Sequence, residues 1–250
     1  INWKDIANYE FLLPPKEEQA RLAELLWAAD EVVEKGKVVI DRLNYCYDLL
    51  LRDMMSKSFP KRKIGEIAFI NNKTLSSKTY NNYQFYYIDI ASITKPKQLG
   101  ELREYSFSEA PSRARRVVEN NSIIASLVRP YLKSFAKINT KNGELIASTG
   151  TAVINAKDNV SIDYIFHSLF SKDFIIHCEN RMNGTNYPAI TSNDLGDFEI
   201  PLPNIETQLS VAEKFNKIDK LIIQCENRVL KSQQLISNLI NQIFNKCHGI

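Results

Sequence analysis

The sequence has few of the residues that form tight turns and cofactor-binding loops. Its 250 residues include only 8 glycines and 9 prolines, which favours long regular elements and leaves too few glycines for a repeated phosphate-binding loop. The signatures G-x-x-x-x-G-K-[ST], H-E-x-x-H and G-x-S-x-G do not occur, so a P-loop NTPase, a zinc protease and a serine hydrolase are disfavoured. The pair Pro14 and Pro15 is followed by a lysine, so it indicates a helix start and not an adenine methyltransferase motif.

Cysteine and histidine are scarce, and they are scattered. The chain has 4 cysteines and 3 histidines, with neither a C-x-x-C pair nor any ligand-like spacing. This predicts no metal site and a reduced, cytoplasmic compartment. No apolar run approaches the length of a membrane span, so we expect no membrane partner.

Charge is distributed unevenly along the chain. The formal net charge is only +3, but residues 61–137 carry 14 basic and 6 acidic side chains, a net +8. Residues 1–59 carry 8 basic and 11 acidic side chains, a net −3. A basic segment between acidic ones is typical of a nucleic-acid surface.

One long repeat organises the sequence. A shift of 189 residues aligns about 55 positions without a gap and superimposes eleven identical residues, among them Pro14 on Pro203, Gln19 on Gln208 and Asp30 on Asp219. We interpret Asp30 and Asp219 as architectural residues or as parts of a shared docking surface. Antiparallel helices would place them far apart, whereas a catalytic carboxylate pair must lie within about 10 Å.

Both copies of the repeat place apolar residues at alternating steps of four and three, which is the pattern of a coiled-coil seam. The seam of the first copy is Leu22, Leu26, Ala29, Val33, Gly36, Ile40, Leu43, Tyr47, Leu50 and Met54. That of the second copy is Val211, Phe215, Ile218, Ile222, Cys225, Val229, Ser232, Ile236, Leu239 and Ile243. We expect the two helices to pack on each other.

The segment between the helices has a different pattern. Residues 84–88, 122–128, 134–138 and 151–154 are rich in β-branched and aromatic residues and predict strands, whereas 162–178 predicts a helix. The fold class is therefore α+β, with a globular domain inserted between two long helices that pack as an antiparallel coiled coil. The aromatic run at 85–87 is predicted to be core.

Two polar clusters are candidates for binding nucleic acid. Residues 110–116 contain Arg113, Arg115 and Arg116, and residues 129–133 contain Arg129, Tyr131 and Lys133. Arginine can grip a phosphate or read guanine with two hydrogen bonds; the alternative is a solvated run of charges. In the loop 183–188, Asn186 could read adenine and Tyr187 could touch a phosphate or a base; the alternative is a plain turn.

The layout then resembles a known family. The segments 12–19 and 200–208, each opening a long helix, are similar to the conserved regions of specificity subunits of type I restriction-modification systems, and the inserted segment resembles their target recognition domains. The resemblance rests on 110–116, 126–131, 147–152 and 187–190. It implies that the chain catalyses nothing. The residues that the resemblance selects first for DNA contact are Arg113, Arg115, Arg116, Arg129, Tyr131 and Lys133. Those that it selects second are Ser148, Thr149, Thr151, Asn186 and Tyr187.

The resemblance also implies partners. Such subunits read double-stranded DNA with two recognition domains, one for each half of a split target. They dock two methyltransferase subunits, which use S-adenosylmethionine to methylate adenine, and through them the restriction subunits, which use ATP and Mg²⁺. No cofactor is expected in this chain.

One departure from the family pattern sets the expected domains. We expect 1–14 to be the tail of a missing upstream recognition domain, 15–58 the first spacer helix, 59–202 the recognition domain and 203–250 the second spacer helix. With one recognition domain the chain would read one half-site, unless self-association of two copies supplies the other.

Two alternative functions stay open. One is a coiled-coil scaffold or oligomerisation protein whose middle domain binds protein. The other is a methyltransferase or nuclease fusion that lacks its catalytic half. The basic segment at 61–137 favours DNA recognition over the scaffold.

Overall fold

The computed structural model describes residues 2–8, 13–139 and 143–248, and the chain divides into two compact units. A helical unit comprises residues 1–47 and 216–250, and a globular unit comprises residues 48–215. The predicted α+β class, with a long helix at each end of an inserted domain, is confirmed. In sequence, the boundaries between these units fall within the two long helices, at residues 47–48 and 215–216. The predicted domain boundaries lie instead near the helix ends. Residues 1 and 9–12 of the predicted tail lie outside the described part.

The described residues form two long helices and five short ones. In chain order they are α1 Trp3–Ala7, α2 Lys16–Ser56, α3 Ile64–Ile67, α4 Ile162–Ser168, α5 Lys172–Glu179, α6 Ser192–Gly196 and α7 Ile205–His248. Two 3₁₀ turns span Ile90–Ser92 and Pro130–Leu132.

Twelve strands are described in the globular unit. In chain order they are β1 Lys61–Lys63, β2 Ala68–Ile70, β3 Gln84–Ile88, β4 Ile93–Lys95, β5 Gln98–Leu99, β6 Arg103–Ser106, β7 Ala114–Val118, β8 Ile123–Ser126, β9 Phe135–Lys137, β10 Leu145–Ser148, β11 Thr151–Ala156 and β12 Glu199–Pro201. All four predicted strand segments are confirmed, with shorter bounds at 122–128 and 134–138.

The predicted coiled-coil seam is confirmed in the helical unit. Between residues 22 and 47 of α2, the eight predicted seam positions are buried or half-buried and every other position is exposed. In α7 all predicted positions from Ile218 to Leu239 are likewise covered, together with Asp219 and Glu226. Ile243, the last predicted position, lies outside the described side chains.

Gly36 allows the two helices to approach closely. A Cβ atom added there would lie 2.5 Å from Cγ2 of Val229, which is closer than real atoms pack. In an antiparallel pair this contact brings Ile40 level with Cys225. The 189-residue repeat superimposes Gly36 on Cys225 and Ile40 on Val229. The pair Gly36–Val229 and the pair Ile40–Cys225 are therefore related by a local two-fold axis.

Both long helices begin with the same hydrogen bond. Nε2 of Gln19 donates to the carbonyl of Pro14 at 2.6 Å, and Nε2 of Gln208 donates to the carbonyl of Pro203 at 2.8 Å. These glutamines are repeat equivalents, and each satisfies a carbonyl just before its helix.

The globular unit contains two four-stranded sheets. The first has the order β6-β3-β10-β7, in which β10 runs parallel to β3 and antiparallel to β7. The second has the order β2-β11-β8-β9, with every neighbouring pair antiparallel. Since β10 is followed directly by β11, the turn at 149–150 connects the two sheets. Two short ribbons pair β4 with β5 and β1 with β12.

Alternation along β10 distributes side chains to two cores. Leu145 and Ala147 join a cluster that includes Val153 of the second sheet. Ile146 points to the opposite face and packs with Phe85 and Tyr87. The aromatic run 85–87 is thus core, as predicted: Phe85 and Tyr87 are buried and Tyr86 is half-buried.

The predicted single helix over 162–178 is wrong. The chain forms α4 and α5 with a break at 169–171, because serine hydroxyls compete for the backbone. Ser168 donates its hydroxyl to the carbonyl of Ile165 at 2.7 Å, and Ser171 caps α5 by accepting from the amide of Phe174 at 3.1 Å. The break lets Phe170 and Phe174 both contact Phe135, at 5.5 and 5.8 Å between ring centroids.

The two ends of the inserted domain are fastened together. β1 pairs with β12, and the hydroxyl of Tyr164 donates to the carbonyl of Pro201 at 2.8 Å. Gln208, 1% exposed, accepts a hydrogen bond from the amide of Ser161 at 2.9 Å. The domain can therefore be inserted between two helices without loose connections.

We predict that Gly36→Ala lowers the free energy of unfolding of the helical unit. Alanine favours a helix over glycine by about 1 kcal/mol, but overpacking against the stiff Val229 side chain costs about 1–3 kcal/mol. Urea unfolding followed by circular dichroism measures the change. In a Val229→Ala background the same substitution should be stabilising, and stabilisation of the otherwise unchanged chain by Gly36→Ala would contradict the close approach.

Alkaline pH is expected to destabilise the globular unit through two buried acids. Burial raises the pKa of the Cys178 thiol from 9.0 to about 12 and that of the Tyr164 phenol from 10.0 to about 12. The unfolded chain therefore loses these protons first, so the free energy of unfolding falls as pH rises from 9.0 towards about 12.

The control for this prediction uses two cysteines. Cys178→Ala should make the decline with pH shallower, because one of the shifted groups is gone. Cys46→Ala, at an exposed thiol, should leave the slope unchanged. Denaturant unfolding at a series of pH values measures both, and equal slopes for the two variants would contradict the assignment.

Candidate nucleic-acid interface

The four segments on which the family resemblance rests meet in the globular unit. The amide of Thr149 donates to the carbonyl of Arg113 at 2.9 Å, and the amide of Leu127 donates to the carbonyl of Gly150 at 3.0 Å. The amide of Ile190 then donates to the carbonyl of Leu127 at 3.0 Å. Backbone hydrogen bonds therefore link residues 110–116, 126–133, 147–152 and 183–190, which we call the four-loop face.

The turn between β10 and β11 lies at the centre of these hydrogen bonds. The Ser148 hydroxyl accepts from the amide of Gly150 at 3.2 Å, and the Thr151 hydroxyl donates to the Ser148 carbonyl at 2.8 Å. Space at Gly150 is tight: a Cβ atom there would lie 3.1 Å from Cδ1 of Ile90, which would have to shift by a few tenths of an ångström. The hydroxyls thus hold the turn, and Thr149 is exposed at its tip.

Ser148 and Thr151, two of the second-choice residues for DNA contact, are buried in this structure. Their side chains are 1% and 0% exposed and are used in the turn. Sequence could not distinguish them from Thr149, because all three are small hydroxyl or polar residues within one short motif. Their burial leaves Thr149 as the second-choice residue of this turn that faces solvent.

Arg113 stands apart from the other two arginines of its cluster. Its side chain is exposed, and in the described ranges its guanidinium makes no hydrogen bond or ion pair. Arg113 lies close enough to the Tyr87 phenol to affect its pKa. Burial raises the pKa of Tyr87 and Asp89 adds to the rise, whereas the Ser148 hydrogen bond and the Arg113 charge lower it. Arg113 is thus free to bind an anion or a base edge.

Arg115 and Arg116 are already engaged by the protein. Arg115 donates from Nη1 to the carbonyl of Ala114 at 2.8 Å and covers the ring of Phe107, with 5.1 Å from the guanidinium carbon to the centroid. Arg116 donates to Ser192 Oγ at 3.3 Å and to the carbonyl of Thr149 at 3.1 Å. Burial lowers the pKa of Arg116, although two acceptors hold its guanidinium.

The second basic segment folds around the 3₁₀ turn Pro130–Leu132. Arg129 and Lys133 flank it with φ of 48° and 54°, a left-handed conformation that side-chain-bearing residues adopt at a cost of about 1–2 kcal/mol. The Lys133 ammonium donates to the carbonyl of Phe170 at 3.2 Å. Tyr131, 39% exposed, projects from the turn.

The loop 183–188 begins and ends at a closed pair. The amides of Asn183 and Ala189 each donate to the other residue's carbonyl at 3.0 Å, and Gly184 has a φ of +98° that favours glycine. Asn186 is exposed and Tyr187 is 72% exposed. The Arg129 guanidinium lies 4.9 Å from the centroid of the Tyr187 ring.

Sequence analysis missed one arginine near this face. Arg103 of β6 is exposed and lies opposite Tyr87 in the sheet, with its guanidinium 5.0 Å from the ring centroid of Tyr105. Tyr105 in turn contacts Tyr87 edge-on at 6.0 Å. The signal was the short alternating run at 103–106, but its pairing partner could not be read from sequence.

No group of three or more histidine, cysteine, aspartate or glutamate side chains is arranged to hold a metal ion in the described part of the chain. None of the described helices is long and apolar enough to cross a membrane.

Comparison with known proteins gives a consistent result. A model of the family described as type I restriction modification DNA specificity domain matches residues 56–233. The type I restriction enzyme MjaVIII specificity subunit of Methanocaldococcus jannaschii is 21% identical over 96% of this chain and 63% of its own length. The putative MjaX specificity subunit of the same organism is 25% identical over 96% of this chain and 60% of its own length.

A solved structure is also similar. The crystal structure of the HsdS subunit from Thermoanaerobacter tengcongensis superimposes with a TM-score of 0.61 and 26% identity, covering 77% of this chain and 50% of that one. The chain therefore spans about three fifths of the length of the curated relatives named above.

Proposed function

Because this chain belongs to the family of type I restriction modification DNA specificity domains, we propose that its globular unit recognises one half of a bipartite double-stranded DNA target. The chain directs a partner adenine methyltransferase, and through it a restriction subunit, to that target. The observation that carries the proposal is the four-loop face. It joins four separate segments, and within the described part of the chain the exposed Arg113 guanidinium has no hydrogen-bond or ion-pair partner.

The exposed side chains of this face suit base and phosphate contacts. Arg113 can donate two hydrogen bonds to guanine, and Asn186 can pair in the same way with adenine. Thr149, Tyr131 and Tyr187 present hydroxyl groups that can reach phosphate or sugar. Arg115, Arg116, Arg129 and Lys133 support these contacts, since each already binds a protein carbonyl.

The exposed guanidinium of Arg113 also agrees with the excess of basic residues in its part of the sequence. The net +8 of residues 61–137 supplies a favourable field for a polyanion. Several cations of the globular unit are neutralised locally, such as Lys63 by Asp197 at 2.8 Å and Lys137 by Asp163. Arg113 is not neutralised in this way, so its charge is available to DNA.

A second recognition module on the first repeat copy would complete the bipartite target. Short helix α1 is the repeat equivalent of α6, and Gln19 repeats the helix-start bond of Gln208. Gln208 also accepts from Ser161 of the globular unit, whereas Gln19 Oε1 accepts from no other group in the described ranges. Exposed Trp3 and Leu13 lie on this copy. A second module, from the same polypeptide or another copy, would cover them.

Two apolar patches on the helical unit are proposed to dock the methyltransferase subunits. Val32 and Leu221 are repeat equivalents that are 57% and 47% exposed. The antiparallel register set by Gly36 and Val229 brings Val32 level with Gln233, two residues from Leu235, and Cys46 level with Asp219, two residues from Leu221. Because the local two-fold relates the two patches, two copies of one partner would bind in the same way.

The chain itself is proposed to have no catalytic role. S-adenosylmethionine would bind to the partner methyltransferase, and ATP and Mg²⁺ to the restriction subunit. We place the assembly in the cytoplasm, where its DNA substrate lies.

We predict that a randomised duplex pool will yield an enriched motif when it is selected with the full chain and its methyltransferase partner. If Arg113 reads guanine, Arg113→Ala should relax one base position at a cost of about 1–3 kcal/mol. If it contacts phosphate, binding should weaken for all sequences and the log-log salt slope should fall by about 0.9.

Matched variants make this selection decisive. Arg62 of β1 is exposed and forms an ion pair with Glu66 of α3. Arg62→Ala should leave the motif and the affinity unchanged. Identical motifs and affinities for the parent chain and Arg113→Ala would contradict the assigned role. Salt-insensitive binding of a protein partner without any DNA motif would favour the scaffold function.

The docking patches give a separate prediction. Val32→Glu with Leu235→Glu should remove one of two bound methyltransferase subunits, because a carboxylate in an apolar interface is costly to bury. Light scattering of the co-purified complex measures the number bound. Gln234→Glu, at a neighbouring exposed position, should leave both in place, and full occupancy of the double variant would overturn this assignment.

A further inference from the structure

Arg129 makes three contacts with three consecutive residues of the loop 183–188. Its amide donates to the carbonyl of Pro188 at 2.8 Å, and Nη2 donates to the carbonyl of Asn186 at 2.8 Å. The guanidinium carbon lies 4.9 Å from the centroid of the Tyr187 ring. One residue therefore contacts the whole tip of the loop.

The loop has little else to hold it. The mutual hydrogen bonds of Asn183 and Ala189 close its base. In the described ranges, residues 184–188 receive hydrogen bonds from outside the loop only from Arg129. The shape of the tip thus depends on this arginine.

The Arg129 side chain is poorly placed to bind DNA by itself. Its Nε is buried and has no hydrogen-bond partner in the part of the chain that is described. Nη2 is used by Asn186, and one face of the guanidinium covers Tyr187. By contrast, the side chains of Asn186 and Tyr187 are exposed and make no hydrogen bond of their own in the described ranges.

We propose that Arg129 is a positioning residue that orders the tip of the loop 183–188, so that the Asn186 amide and the Tyr187 ring are held ready for DNA. The expected effect on DNA binding rests on the proposed function, whereas the ordering of the loop is a property of the chain without DNA. Rigid placement before binding reduces the entropy lost on binding. Arginine is needed because its planar fork can donate and stack at once, which a lysine ammonium cannot do.

The ordering is tested without DNA, by amide hydrogen exchange of the full chain. Arg129→Ala and Arg129→Lys should both speed exchange of the Asn183 and Ala189 amides by about tenfold, the factor that matches loss of a single hydrogen bond. Arg115→Lys is the matched control, since Arg115 also donates to a carbonyl and covers an aromatic ring. It should leave these amides unchanged, and unchanged exchange in both Arg129 variants would overturn the proposal.

The consequence for DNA is tested with the duplex enriched in the selection described above. Arg129→Lys should lose about tenfold in affinity, as Arg129→Ala does, with no change in salt slope. In a Tyr187→Leu, Asn186→Ala background, Arg129→Ala should cost nothing further. A direct phosphate contact would instead be rescued by lysine and would lower the slope, which would overturn the positioning role.

The two experiments separate the inference from the proposed function. If the selection enriches no duplex, the proposed function fails while hydrogen exchange still decides whether Arg129 orders the loop. The thermal midpoint of each variant is measured alongside. A midpoint equal to that of the parent chain, together with faster exchange confined to the loop, is the expected result. Faster exchange throughout the globular unit would mean that Arg129 is merely structural.

Discussion

The turn between β10 and β11 is the constraint on which the candidate interface depends. Its two residues, Thr149 and Gly150, connect the two sheets and also bind segments on both sides. The Thr149 amide binds the carbonyl of Arg113, and the Gly150 carbonyl accepts from Leu127. Leu127 then accepts from Ile190. Four loops that lie far apart in sequence are therefore placed by backbone bonds from a turn that is itself fixed by buried hydroxyls.

This arrangement separates the roles of otherwise similar side chains. Arg116 binds the Thr149 carbonyl and Ser192, Arg115 covers an aromatic ring, and Arg129 holds a loop tip. Each of these guanidinium groups donates to a backbone carbonyl and so helps to fix the local backbone. Arg113 is exposed and makes no such bond in the described ranges, so the face combines a fixed frame with a cation that is available to a ligand.

The helical part was predictable in detail because its pattern is local. Apolar residues at steps of four and three identified the covered positions from Leu22 to Tyr47. The prolines at Pro14 and Pro203 indicated where the two long helices begin. The partial burial of Asp219 and Glu226 was not predicted, since the sequence does not reveal how much of a charged side chain beside a seam is covered. The break at 169–171 was missed because a serine cap and a helical serine look alike in sequence.

The candidate site was only partly predictable, and the reason is tertiary. Composition and resemblance selected four segments that the structure brings together, but burial decides which of their residues face solvent. Ser148 and Thr151 are turned inwards by the turn they stabilise. Arg103 lies opposite Tyr87 because β6 pairs with β3, and that pairing depends on contacts across the sheet.

The proposed function requires the four-loop face to be the DNA-binding surface. Photo-cross-linking of the enriched duplex to the full chain, followed by mass spectrometry of the attached peptides, tests this requirement. We expect attachment within 111–116, 129–133, 148–150 and 185–188. Attachment confined to β1, or to the helical unit, would contradict it.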